Sequence, residues 1–140
     1  MTTGVDAYIR FYETMTPESL ARLPELVTPD VHFVDPFNDI TGIAPLRRIL
    51  AKMFEDLREP RFVVTHRALS GAVCFLRWEF AAQSRSGEAW KITGMSELRF
   101  APDGKVAIHI DHWDSGKQFY EKLPVIGAVL RLIRRRLAAT

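Results

Sequence analysis

The sequence contains a single cysteine, Cys74, so no disulfide can form within the chain. Because Cys74 lies in an apolar run, we expect a small buried side chain in a reducing compartment, and hence a cytoplasmic protein. No apolar run reaches the roughly 18–20 residues that a membrane span requires, and we see no signal peptide. The formal net charge of only +2 gives no overall signal for nucleic acid.

Motifs for phosphate or metal binding are also missing. The sequence has no glycine-rich phosphate loop and no nucleophile motif. The segment 109–114 holds histidine and aspartate, but no further well-placed histidine or cysteine completes a metal site. We therefore expect neither a metal nor a cofactor. The hydrophobic fraction of 47% is typical of a globular protein, and 140 residues suffice for one domain spanning 1–140.

Helical periodicity appears three times within the first 60 residues. The clearest 3.6-residue period lies between Gly42 and Pro60, where it predicts a central amphipathic helix. A shorter helix is predicted before Pro29. The first segment predicts a helix with one apolar face, formed by Val5, Tyr8, Ile9, Tyr12 and Met15.

Strand alternation dominates 61–114, with one earlier strand at 31–37. Candidate turns at 70–71, 84–87 and 102–104 separate the later strands, and successive hairpins predict an antiparallel sheet. The fold class is therefore α+β. One face of the strand before the last turn is formed by Trp90, Ile92, Gly94, Ser96, Leu98 and Phe100.

Asp35 is the sharpest catalytic candidate in the sequence. Its same-face neighbours are Phe33 and Phe37, and a carboxylate flanked by aromatic rings loses solvation, which makes it a better base near neutral pH. Alternatively, Asp35 caps the turn that follows it, as Asx residues often do. The local pattern leaves both interpretations open.

A second cluster lies on the last strand. If His109, Asp111 and Trp113 point inward, the pocket gains an imidazole and a second acid. The opposite register turns His112 and Asp114 inward instead. Alternation alone does not decide between these registers, because a bulge can switch faces.

The C-terminal segment 125–138 predicts an amphipathic helix. Ile126, Val129, Leu130 and Ile133 form its apolar stripe, and arginines crowd the remainder. We expect the stripe to dock on the fold. Contact with an anionic membrane surface is the less favoured alternative.

The order of elements and the segment 31–37 resemble the nuclear transport factor 2-like superfamily, with ketosteroid isomerases and SnoaL-like polyketide cyclases as the enzymes most similar. The resemblance implies a cone-shaped fold whose curved sheet wraps around helices and an apolar pocket. It implies Asp35 as the proton-shuttling base and Tyr12 as a hydrogen-bond donor to the substrate oxygen, with Phe11 aligning there if no gap is allowed. Ser96 stands where the isomerase has its second donor.

The two enzyme resemblances differ on the late strand. The cyclase spacing pairs His109 with Asp114, whereas the isomerase-like count directs His109 and Asp111 inward. We prefer Asp111. The resemblance also implies a homodimer through the outer face of the sheet.

The predicted function is acid–base catalysis on a small apolar molecule resembling a steroid, polyketide or lipid, by isomerisation, cyclisation, dehydration or hydrolysis. The alternatives are a non-catalytic binding protein and an interaction module. Seven residues are predicted to contact the ligand: Phe33, Phe37, Leu76, Trp78, Ser96, Leu98 and Trp113.

Overall fold

Helices lie at both ends of the chain and between its first strands. The computed structural model describes residues 2–139. Two 3-10 turns, Glu18–Arg22 and Tyr120–Lys122, precede the second and last helices. The α-helices are α1 (Thr2–Glu13), α2 (Leu23–Leu26), α3 (Ile43–Asp56), α4 (Ser115–Gln118) and α5 (Ile126–Leu137).

Six strands form one curved, open sheet in the order β2-β1-β6-β5-β4-β3. Strands β3 to β6 follow one another as antiparallel hairpins, as the turn pattern predicts. However, β1 pairs in parallel with β6, so the sheet is not wholly antiparallel. The strands are β1 (Val27–Val34), β2 (Asp39–Thr41), β3 (Leu57–Ser70), β4 (Val73–Ser84), β5 (Ala89–Phe100) and β6 (Val106–His112).

The core lies between the concave face of the sheet and the helices. Inward residues alternate along β4 and β5, as predicted, and include Trp78 and Leu98. Helix α1 contributes buried Val5 and Tyr8, while α3 contributes Leu46. This arrangement leaves the inner faces of β4, β5 and β6 opposite α1, where the candidate site lies.

Two strands begin earlier than the sequence predicts. Strand β1 starts at Val27 and β3 starts at Leu57, immediately after α3. Leu57 and the residues that follow were expected to finish the helix before Pro60. Pairing with β4 instead continues past an irregularity between Arg58 and Arg61, where Glu59 has a φ of 50°. A bulge of this kind accommodates a proline that would otherwise break a strand.

The docking predicted for the C-terminal helix is wrong. Helix α5 forms within the predicted range, but Ile126, Val129 and Ile133 are each about half exposed. Its main neighbour is the 3-10 turn Tyr120–Lys122. Arg134 donates hydrogen bonds to the Glu121 carboxylate in that turn, so polar contacts fix the helix. Of the apolar stripe, only Leu130 is partly buried.

No helix within residues 2–139 combines the length and apolar character needed to cross a membrane.

Candidate functional site

A small, partly open cavity of about 30 Å³ lies between α1 and the sheet. Tyr8 and Tyr12 of α1 form one side, and apolar residues such as Phe62 and Leu76 form most of the rest. Its polar end is made by Ser96, His109 and Asp111. A volume of this size holds one or two waters, or the oxygen-bearing end of a ligand.

A wider pocket of about 170 Å³ adjoins this cavity. Phe62, Trp78 and Asp111 line both spaces, so Asp111 lies at their junction. Asp35 and Trp113 lie on the wall of the outer pocket, together with aromatic side chains from β4 and β5. The site is thus an apolar channel with two carboxylates on its wall.

A continuous chain of hydrogen bonds crosses the site. The Trp78 Nε1–H donates to Ser96 Oγ at 2.8 Å, and the Ser96 hydroxyl donates to Asp111 Oδ1 at 2.5 Å. The same oxygen lies 2.6 Å from His109 Nε2. On the other side of the imidazole, Tyr8 Oη lies 2.7 Å from His109 Nδ1.

A neutral imidazole beside an ionised carboxylate gives this chain an arrangement in which every donor meets an acceptor. An ionised Asp111 only accepts, so His109 carries its proton on Nε2. Nδ1 then accepts from the Tyr8 hydroxyl. Five side chains on four elements are thereby held in one orientation, and Asp111 Oδ2 remains available to a ligand.

The Tyr12 hydroxyl is buried in the inner cavity beside that of Tyr8, and no hydrogen bond of ordinary geometry joins it to another described residue. Burial, with the negative charge of Asp111 as a smaller cause, raises the pKa of Tyr12 well above its usual value. Burial likewise raises the pKa of Tyr8. Both groups therefore keep their protons at neutral pH, and Tyr12 can donate to a ligand oxygen.

The structure confirms that Asp35 caps its turn, whereas its role as a base stays a prediction, because β1 ends at Val34 and Asp35 is not a strand residue flanked by Phe33 and Phe37. Its Oδ1 accepts from the backbone N–H groups of Phe37 and Asn38 at 2.8 and 2.7 Å, which is the Asx turn. The Asn38 amide also reaches it, at 3.1 Å to Oδ1 and 3.2 Å to Oδ2. The same carboxylate lines the outer pocket, so capping the turn also fixes its position there.

The predicted ligand contacts divide into three groups. Leu76, Trp78 and Ser96 line the inner cavity, and Trp113 lines the outer pocket. Phe37 lies at the mouth, half exposed, in edge contact with Trp113 at 5.6 Å between ring centroids.

The third group consists of residues that belong to the core. Leu98 is fully buried, and Phe33 packs on the His109 ring with centroids 4.8 Å apart. Phe11, the alternative to Tyr12, is also buried in the core. Phe33 therefore contacts the site from behind, through His109.

The structure brings Asp111 to the inner cavity and the outer pocket, whereas Asp114 reaches only an open surface cleft that Asp35 and Asp111 also border. Asp111 lies on β6, whereas Asp114 comes after the strand and is exposed. Asp114 Oδ1 accepts from Lys117 N at 3.0 Å and so caps α4. The carboxylate of Asp114 does not line either cavity.

Tyr8 is the site residue that sequence reasoning missed. The helical stripe had placed it on the same face as Tyr12, but only as an apolar position. The signal was its spacing, since residues at i and i+4 are neighbours on a helix. Within residues 2–139, no group of three or more metal-ligating side chains stands close enough to hold a metal ion.

Comparison with known proteins places the chain in a family. Residues 8–109 match the SnoaL-like domain, which is most of the chain, so this protein belongs to the SnoaL-like domain family. Among curated proteins, a UDP-3-O-acylglucosamine N-acyltransferase of Caulobacter sp. (strain K31) is 33% identical over 95 residues. That match covers 66% of this chain but spans only 27% of the acyltransferase.

Solved structures show the same fold at low identity. An NTF2-like protein of unknown function from Burkholderia pseudomallei has a TM-score of 0.73 at 16% identity, covering 84% of this chain and 95% of that one. A putative SnoaL-like polyketide cyclase from Jannaschia sp. CCS1 has a TM-score of 0.70 at 18% identity, covering 81% and 86%. A protein of ketosteroid isomerase-like fold from Catenulispora acidiphila, complexed with trimethylamine, has a TM-score of 0.70 at 14% identity, covering 82% and 88%.

Proposed function

We propose that this protein binds a small, mostly apolar molecule carrying an oxygen function and transfers protons to and from it. One observation carries this proposal above the others. A buried chain of hydrogen bonds through Asp111 and His109 lies beside the unpartnered Tyr12 hydroxyl, within an otherwise apolar cavity. Buried polar groups are costly unless a partner satisfies them, so a hydroxyl left in this state is suited to a ligand.

In this proposal Asp35 is the base. Its Oδ1 is occupied by the turn, whereas Oδ2 has only the 3.2 Å contact with the Asn38 amide. Oδ2 can therefore take a proton from a ligand held in the outer pocket. The turn contributes orientation, because three donors prevent the carboxylate from rotating away.

Asp111, His109 and Tyr12 act at the other end of the ligand. Tyr12 donates to the oxygen on which negative charge develops, and Asp111 Oδ2 takes or returns the second proton. His109 holds Asp111 in place through the contact of its Nε2 with Asp111 Oδ1. Its Nδ1 contacts the Tyr8 hydroxyl, so the negative charge of Asp111 is stabilised along the chain of hydrogen bonds. Isomerisation, cyclisation, dehydration and hydrolysis each need such a base and such a donor.

A non-catalytic binding role is the second candidate. The observation that favours it is the Asx turn, because a carboxylate that holds its own loop has a structural use without any chemistry. In that case Tyr12 and Asp111 would only anchor a hydroxyl or carbonyl group of the bound molecule.

Exchange of the α-protons of cyclohexanone in D₂O, followed by proton NMR, tests the catalytic proposal. The exchange requires a base and a donor to the carbonyl oxygen, and no other reagent. We expect the protein to accelerate it, and Asp35→Asn to reduce the acceleration on the order of a hundredfold or more, since positioned general bases contribute that much. Asp111→Asn should also reduce it.

The matched control is Asp30→Asn. It removes an exposed carboxylate from β1, the strand that leads into the turn of Asp35. It should leave the exchange rate unchanged. Binding of cyclohexanone without exchange by the wild-type protein would favour the non-catalytic role. Equal rates in the wild type and Asp35→Asn would remove Asp35 as the base.

A further inference from the structure

Helix α5 is fixed to the body of the protein by its polar side. Gly127 is buried against the Glu121 carbonyl, where a side chain would clash. Arg131 donates to that carbonyl, and Arg134 Nε lies 2.8 Å from a Glu121 carboxylate oxygen. Residues 127, 131 and 134 share one helical face, so this face is turned toward the domain.

The apolar side of α5 consequently faces away from the body. Ile126, Val129 and Ile133 are exposed by 56%, 53% and 48%. Leu137 is also exposed and continues this row to the end of the helix, while the exposed Leu132 lies to one side of it. An exposed row of this kind on one helix marks an interaction surface.

The charge on α5 is of one sign. The helix carries four arginines and no acidic residue over Ile126–Leu137. Arg135 and Arg136 are exposed and take no part in the contact with Glu121. The partner that fits must accept apolar side chains and supply negative charge together.

We infer that α5 is a docking surface for an anionic lipid bilayer, lying in the plane of the interface. Acyl chains would accommodate the apolar row, and anionic headgroups would neutralise the arginines. A second copy of the chain fits less well. Two α5 helices paired along their apolar rows would bring arginines together with no acidic residue on either helix to offset them.

This surface is connected to the mouth of the candidate site. Phe119 and Tyr120 contact Phe37, with ring centroids 5.2 and 6.2 Å apart, and Phe37 lines the outer pocket. Glu121, the anchor of α5, is the next residue. A bilayer bound at α5 would therefore place the pocket mouth close to the phase in which apolar molecules concentrate.

Co-sedimentation with vesicles tests the inference. We expect the protein to bind vesicles of equimolar phosphatidylglycerol and phosphatidylcholine, to bind pure phosphatidylcholine much less, and to be released by added salt. Val129→Glu combined with Ile133→Glu should abolish binding. Arg135→Gln combined with Arg136→Gln should weaken it at least tenfold, because each basic residue near an anionic surface contributes about fivefold.

Matched controls separate α5 from general surface properties. Met95→Glu combined with Val63→Glu adds the same charge at exposed apolar positions of the sheet, and Arg47→Gln combined with Arg48→Gln removes the same charge from α3. Both should retain binding. Melting temperatures near that of the wild type would show that all variants fold.

Three results would overturn the inference: no binding to the anionic vesicles, binding that the α5 variants leave unchanged, or an α5-dependent dimer in sedimentation equilibrium without lipid. The exchange of cyclohexanone protons does not involve α5. Failure of vesicle binding and failure of the proposed chemistry are therefore distinguishable.

Discussion

At the scale of single residues, Gly94 makes room for the Trp78 ring. A methyl group at Gly94 would lie 2.6 Å from two carbons of that indole. Gly94→Ala should therefore push the indole out of its place, break its bond to Ser96 and cost about 1–3 kcal/mol, as overpacked cores do. Urea denaturation measures this cost. Thr93→Ala, on the outer face of the same strand, should change stability by less than about 0.5 kcal/mol.

The two buried tyrosines determine how stability depends on alkaline pH. Burial raises the pKa of Tyr8 and Tyr12 above the ordinary value of 10.0, so the unfolded chain loses these protons at lower pH than the folded protein. Their stabilisation is complete below pH 10 and is lost as the pH rises, by up to about 1.4 kcal/mol per pH unit for each tyrosine.

We therefore expect the free energy of unfolding to fall steeply above pH 10, and to fall less steeply in Tyr12→Phe. Denaturant titrations at several pH values would show this. Identical slopes in the two proteins would contradict the burial of the Tyr12 hydroxyl as the cause.

Residue types and alternation indicated much of the site, but not its connections. The inward direction of Ser96 followed from the β5 pattern. The bond between Tyr8 and His109 joins residues 101 positions apart, and no local pattern encodes such a contact. The position of Asp35 depended on whether its turn lies at the pocket or in solvent, which requires the tertiary structure.

At the scale of elements, α5 depends on one buried anchor. Arg134→Gln would leave the buried Glu121 carboxylate with a weaker partner, which should cost about 1.5–3 kcal/mol locally. Hydrogen exchange should then accelerate in α5 and stay unchanged in β4 and β5, because α5 scarcely contacts the sheet. Arg135→Gln, on the exposed side of the helix, should change neither the stability of the α5 contact nor the rate of hydrogen exchange in α5. If hydrogen exchange in α5 were as slow in Arg134→Gln as in the wild type, the result would contradict this anchoring.

The hairpins of β3 to β6 could be predicted because turn residues and alternation are local signals. The parallel pairing of β1 with β6 could not be predicted, because it joins distant segments and the sequence of neither strand identifies the strand with which it pairs. Periodicity also predicted the α5 helix, but it assigned the apolar stripe, rather than the polar side, to the contact with the domain. An apolar stripe shows which side avoids water, whereas the contact of Glu121 with Arg134 decides which side meets the domain.

At the scale of the whole molecule, one end of the concave sheet combines three features. These are the inner cavity, the outer pocket with its two carboxylates, and the turn that carries α5. The homodimer implied by the family resemblance remains a prediction. The proposed chemistry needs residues of one chain only, since every group in the hydrogen-bond chain comes from this domain.

The Tyr12 hydroxyl gives the most direct test of the proposed binding site. We would measure the affinity for 2-naphthol by fluorescence, and the free energy of unfolding, in the wild type and in Tyr12→Phe. Tyr120→Phe, which alters an exposed ring, is the control. Because the hydroxyl is buried without a partner, its removal should stabilise the free protein by about 1 kcal/mol and weaken naphthol binding about tenfold. A Tyr12→Phe protein that is less stable than the wild type and binds naphthol equally well would contradict a ligand-binding role for this hydroxyl.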